Sequence, residues 1–226
     1  MSRGALKIIG FGLAALLVAG AVQLARVRSE NQRITREFVD SIAVMHKQQA
    51  AQNAELQARF NQLDFDHGLD APTLASVDGL ARSRELLARF RALLAERERL
   101  AAAQKEAGHH LIEQLPAGVL REGALRGEAQ TAGRMHQLQD NLSKAENANA
   151  DAIQAVLDWA ERNHALLHAR GDKLMVDGRQ PLEELQRLEG NLRETGRVVQ
   201  TALEQGRAVQ AESGRTLVQL QKDVRE

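Results

Sequence analysis

Two Glu-x-x-His runs, Glu106-Ala-Gly-His109 and Glu161-Arg-Asn-His164, are the residues of this chain whose spacing most invites chemistry. Side chains three apart on a helix share a face, and di-iron carboxylate bundles use two such motifs plus a Glu from each remaining helix. The helices that would carry them defeat the pairing. The motifs flank Pro116, one about 10 residues before it and the other about 45 after it, so in an antiparallel hairpin they stand roughly 50 Å apart along the axis. No metal shared within one chain is expected.

His164 and His168 lie four apart with Glu161 one turn earlier, a spacing compatible with a divalent metal if all three sit on one helix. His164 also falls on an apolar seam between Ala160 and Leu167, so a packed or surface histidine is the simpler reading. The Glu that zinc proteases need directly after the first His is missing. His109-His110 is a poor chelating pair, because adjacent helical side chains diverge by about 100°. Trp159, beside Leu157, reads as an edge-of-core residue. The serines Ser41, Ser76, Ser143 and Ser213 fall in helical or turn contexts without a His and acid partner, and no nucleophile elbow, phosphate loop or dinucleotide fingerprint occurs. Sequence reasoning therefore assigns no catalytic, cofactor-binding or metal-ligating residue and expects no enzyme.

Composition sets the architecture that positions these residues. Of 226 residues 43% are hydrophobic but only 3% aromatic, and three prolines interrupt long runs of Ala, Leu, Glu, Gln and Arg. That mixture suits helices packed side by side and predicts essentially no sheet. Thirty basic residues balance thirty acidic ones, so the excess positive charge that phosphate binding needs is missing and nucleic acid is not an expected partner. With no Cys there is no disulfide or thiolate site, which fits either side of a membrane.

Between Lys7 and Arg26 the chain carries no charge. Ile8 to Ala25 is about 18 residues, roughly 27 Å as a helix, just enough to cross the hydrocarbon of a bilayer. Ala19-Gly20-Ala21 has the form of a signal-peptide cleavage site, but the apolar helix continues through Val22 and Leu24, which favours a retained anchor. The division expected is a basic tail over 1–7, a transmembrane anchor over 8–25 and a helical bundle over 26–226. Arg26, Arg28, Arg33 and Arg36 after the segment favour a cytoplasmic C-terminal region by the positive-inside rule, whereas a short basic N-terminus ahead of a first apolar segment favours export. Export, to the periplasm or the cell exterior, is the reading adopted.

Periodicity then lays out four helices. Val27, Ile34, Phe38, Ile42, Met45, Leu56, Phe60 and Leu63 mark the first, with polar Asn31, Gln49 and Gln52 at seam positions. Asp64 to Pro72 reads as a turn. A second helix starts near Asp78, carries Leu80, Leu87, Phe90, Leu94, Leu100, Leu111 and Leu115, and ends at Pro116-Ala-Gly118. The third carries Leu125, Ala132, Met135, Leu142, Ile153, Val156, Ala160 and Leu167 and is expected to close at Gly171-Asp172, leaving Lys173–Gly178 as a turn with an apolar plug. The fourth opens with Pro181 in its first turn and holds near-heptad spacing through Leu185, Leu188, Leu192, Val199, Leu203, Val209, Leu217 and Val224. Gly196, Gly206 and Gly214 on it are either close-approach sites or merely tolerated.

The fold class expected is therefore all-α: an N-terminal transmembrane helix followed by a long antiparallel, coiled-coil-like four-helix bundle. Arg26, Arg28, Arg121, Arg126, Lys222 and Arg225 would gather at its membrane-proximal end. The function expected is that of a single-pass, membrane-anchored, non-enzymatic structural or interaction protein of a bacterial-type cell envelope. Its partners are the bilayer, through the N-terminal helix, and another copy or another membrane protein. The alternative is a sensory bundle similar in architecture to chemoreceptor ligand-binding domains, but without its own output domain.

Overall fold

The structure is a computed structural model that describes residues 32–223. The anchor expected over 8–25, the basic residues Arg26 and Arg28, and the side chains of Leu217, Lys222 and Val224 lie outside the described residues. Among the described residues no helix is long and apolar enough to cross a membrane.

The described chain is mostly helical. Four long helices, α1 (Gln32–Asn61), α4 (Val77–Glu113), α5 (Val119–Arg162) and α6 (Arg179–Asp223), are joined by three connections, the first and last of which carry smaller elements. Between α1 and α4 stand two single-turn helices, α2 (Phe65–Gly68) and α3 (Ala71–Leu74). Each starts on an aspartate: Asp64 accepts from the His67 N–H and Asp70 from the Thr73 N–H. Such caps satisfy amide groups that have no intrahelical partner. Ser76 caps α4 the same way, its Oγ accepting from the Gly79 N–H at 3.0 Å. Gly79 must be glycine for room, because a Cβ there would stand 2.2 Å from the Thr73 carbonyl oxygen.

Between α5 and α6 the structure departs from expectation. The third helix does not run to Gly171; it ends at Arg162, and a 3₁₀ turn (His164–Leu166) leads into β1 (Leu167–Arg170) and β2 (Lys173–Val176), an antiparallel hairpin. The chain is therefore not free of sheet, and Lys173–Val176 is a strand rather than a turn. At the end of the helix the Asn163 N–H makes a last helical bond to the Trp159 carbonyl oxygen, and the Asn163 side-chain Nδ2 donates to the same oxygen, a local contact that competes with the helical pattern. Gly171, at φ +62°, opens the two-residue Gly171-Asp172 loop, the left-handed geometry that tight hairpin turns need. Leu167, Ala169, Leu174 and Val176 share one face by register, and His168, Arg170, Lys173 and Met175 the other. Leu167 is buried and the hairpin packs on α3.

Two compact units emerge. The hairpin unit comprises Ala58–Glu96 and Leu142–Ala202; the Pro116 unit comprises 32–57, Arg97–Asn141 and 203–223. In the hairpin unit Arg84 of α4 bonds Asp158 of α5, and Arg91 bonds Asp151. Residue numbers rise on one helix as they fall on the other, so these segments run antiparallel. Asn149 with Thr195 and Arg162 with Glu184 give the same direction for α5 and α6. The core here is aromatic: Phe60 and Phe65 both meet the Phe90 ring edge to face, at 6.0 and 5.4 Å, among buried Leu87, Leu157 and Trp159. Trp159 is 0% exposed, so it is a central core residue rather than an edge one. Such edge-to-face contacts add about 0.5–1.5 kcal/mol beyond area burial.

The Pro116 unit is built on smaller side chains. Its cluster is Phe38, Val39, Ile42, Met45, Ile112, Leu115 and Ala124, with Ile34, Leu111 and Leu125 packed against it. Gly108, Gly123, Gly127 and Gly206 are also buried, and the turn between α4 and α5 passes through Gly118 at φ +136°. Among the seam glycines of α6, Gly206 is buried whereas Gly196 leaves a Cβ at an ordinary 3.9 Å from Asn149 Oδ1.

Candidate functional site

Of the two Glu-x-x-His motifs, Glu161 and His109 are each engaged by a residue of a neighbouring helix. In the hairpin unit Arg84 donates from Nη2 to Asp158 at 2.9 Å and also to Glu161, while Gln154 donates to the same Asp158 oxygen at 2.7 Å. The hydrogen bond to Asp158, reinforced by the charge of Glu161, raises the Arg84 pKa above its ordinary value. Glu161 is thus held by an arginine. A guanidinium bridging two carboxylates is a clip between α4 and α5 whose partly exposed position limits it to about 1 kcal/mol or less.

His164 and His168 do not share a helix face, because the helix has ended before both: His164 sits in the 3₁₀ turn and His168 on β1. The helical spacing on which a metal pair depends is therefore lost. His168 faces Asp177 at 3.1 Å instead, both largely exposed. His164 Nε2 is buried and, like Trp159 Nε1, has no hydrogen-bond partner among the described residues.

In the Pro116 unit His109 Nδ1 lies 2.8 Å from Glu128 of α5, a carboxylate 13% exposed, and its Nε2 lies 3.6 Å from Glu113. The Glu128 hydrogen bond and charge raise the His109 pKa above its ordinary value, while Arg121 acts in the opposite direction. Neighbouring His110 approaches Glu113 at 3.7 Å. Among the described residues, no group of three or more His, Cys, Asp or Glu side chains is placed to hold a metal ion.

The serines make local backbone or side-chain contacts. Ser41 Oγ donates to the Glu37 carbonyl, Ser76 caps α4, and Ser143 Oγ accepts from Asn147. Ser213 lies outside the described side chains. Gln52 and Gln104 meet across α1 and α4 at 3.3 Å, a polar contact of the kind the seam positions suggest. Gln49 is different: it is 3% exposed, and neither side-chain polar atom has a partner among the described residues.

Comparison of the chain with protein-family models, with curated proteins and with solved structures yields no match.

Proposed function

We propose that this is a membrane-anchored, non-enzymatic helical-bundle protein of the cell envelope that acts by holding another protein or another copy of itself. The observation that carries the reading is the combination of an uncharged sequence stretch over 8–25 with, from Gln32 onward, long helices whose charged contacts tie one helix to the next. Arg84 with Asp158 and Glu161, and Arg91 with Asp151, have the geometry of structural clips, and a bundle of this kind offers long helical faces for association. The finer architecture proposed is a four-helix antiparallel bundle following a single transmembrane helix, supported by the antiparallel contacts inside the hairpin unit. Export of residues 26–226 is part of the same proposal and rests on the short basic N-terminus ahead of the apolar segment.

A reporter active only outside the cytoplasm, fused to Glu226, tests it together with membrane fractionation and intact mass. An active reporter on a full-length, membrane-bound product is the expected result. A silent reporter on a membrane-bound product moves the bundle to the cytoplasm and ends the envelope assignment. Release of a shortened product into solution makes 8–25 a signal peptide and removes the tether.

A further inference from the structure

The connection between α5 and α6 is larger than joining two helices requires. It runs from Asn163 to Gly178, against an ordinary helix-to-helix link of roughly 2–8 residues, and it builds its own structure. Leu167 anchors it in the core, the Asp177 N–H donates to the Leu166 carbonyl at 2.9 Å, and His168 with Asp177 ties the two strands. Its inner face is thus explained by packing, but its outer face is not. Arg170 and Lys173 stand directly opposite each other on that face. Like charges at such a position repel. Both side chains are exposed, and neither forms an ion pair among the described residues. Asp172, in the turn between them, and Asp177, which His168 engages, form no ion pair with either cation among the described residues. Met175, on the same face two residues from Lys173, is 47% exposed.

A cross-strand pair of cations beside an uncovered, adaptable thioether has the form of a recognition surface. We propose that the outer face of this hairpin is the docking site for an extended acidic segment of a partner protein, which sets a carboxylate between Arg170 and Lys173 and an apolar side chain on Met175. Strand geometry fixes the spacing. Positions two apart on an extended chain lie roughly 6.5 Å apart on one face, so the complementary segment carries a carboxylate and an apolar residue at i and i+2. A protein segment is favoured over an anionic membrane because two cations give little attraction to headgroups, for which clusters of four to eight are usual. A second copy docking hairpin to hairpin is disfavoured, since each would bring the same two cations.

The inference rests on the reading of the chain as an interaction protein, and the experiment separates the two. A photo-crosslinking amino acid is placed at position 175 of the full-length protein in its producing cell, and separately at the exposed positions Val44 and Val198, with every adduct mapped to its peptide. Expected is an adduct at 175 whose partner peptide carries Asp or Glu two residues from an apolar residue. It should fall at least tenfold in the double variant Arg170→Glu/Lys173→Glu and persist in Arg170→Lys, with far-UV circular dichroism confirming that both variants keep their helices. An adduct at 44 or 198 but none at 175 overturns the docking site while leaving an interaction protein. No protein adduct at any position overturns both readings. A lipid adduct at 175, an adduct to a second copy, or one indifferent to charge reversal also overturns the site.

Discussion

The hairpin unit and the Pro116 unit are made from the same helices yet solve packing differently. The first fills its interior with rings, Phe60, Phe65, Phe90 and Trp159, and clips its helices with arginine–carboxylate bonds. The second has smaller apolar side chains and, at Gln49, a buried amide with no partner among the described residues, whereas the buried amide of the first, Asn149, accepts from Thr195. Apolar area removed from water stabilises at about 25 cal/mol per Å², whereas a buried polar atom without a partner destabilises; Trp159 Nε1 and His164 Nε2 carry that cost in the hairpin unit and the two Gln49 atoms in the Pro116 unit, so the aromatic burial decides the comparison. The hairpin unit should therefore be the more stable of the two, a difference that amide hydrogen exchange reads unit by unit.

The largest way to break that difference is to empty the aromatic core. Trp159→Ala should cost about 3–5 kcal/mol by loss of burial and creation of a cavity. Denaturant unfolding followed by circular dichroism measures it, and exchange should accelerate in 58–96 and 142–202. Trp159→Phe sharpens the point, because it keeps a ring while deleting an indole N–H that has no partner among the described residues. It should change stability by less than about 1.5 kcal/mol. Equal losses in both variants would mean that the indole nitrogen is bonded after all.

Gln49→Leu should act in the opposite direction on the Pro116 unit. Removing two buried, unpartnered amide atoms and filling their volume with an apolar side chain should stabilise by about 1–3 kcal/mol. Slower exchange confined to 32–57 and 97–141 is the expected reading, and the gap between the units would narrow. Destabilisation would show that Gln49 has a partner that the described residues do not include.

Much of this contrast was legible in sequence and some was not. Phe38, Ile42, Met45, Leu56 and Phe60 are buried because their three- and four-residue spacing puts them on one side of a helix, which periodicity reads directly. The hairpin was hidden by the same periodicity: Leu167 follows Ala160 by seven residues and so extends a helical pattern. The signal that could have revealed it was local, a Gly-Asp pair between Leu-His-Ala-Arg and Lys-Leu-Met-Val, strand-like runs on either side of a hairpin turn. The clips were out of reach. Arg84 lies 74 and 77 residues from its acceptors, and which arginine meets which carboxylate depends on how two helices are rotated about their axes.

A smaller effect tests the glycines. Gly190 on α6 has no heavy atom within 4 Å of where a Cβ would stand, so Gly190→Ala meets no steric resistance and reduces the freedom of the unfolded chain. A gain of about 0.5–1 kcal/mol in denaturant unfolding is expected. A loss would mean that this face of α6 is covered by a neighbour, and the variant would then locate an association surface.

The smallest effect is pH-dependent and belongs to the Pro116 unit. Glu128 raises the folded-state pKa of His109 above its unfolded value of about 6.5. A raised pKa means that the stabilisation is fully present below the unfolded value and is lost as pH rises through the folded one. His109 is 48% exposed, so solvent screens the pair and its contribution should stay below about 1 kcal/mol. The sharper measurement is the ring itself. An NMR titration should show the His109 midpoint falling in Glu128→Gln. The stability advantage of the native chain over that variant should be largest at mildly acidic pH and shrink once the native midpoint is passed. Arg121 opposes Glu128, so Arg121→Gln should move the midpoint upward. Identical midpoints in all three proteins would mean that His109 and Glu128 do not pair in solution, and the link between α4 and α5 in this unit would rest on its apolar cluster alone.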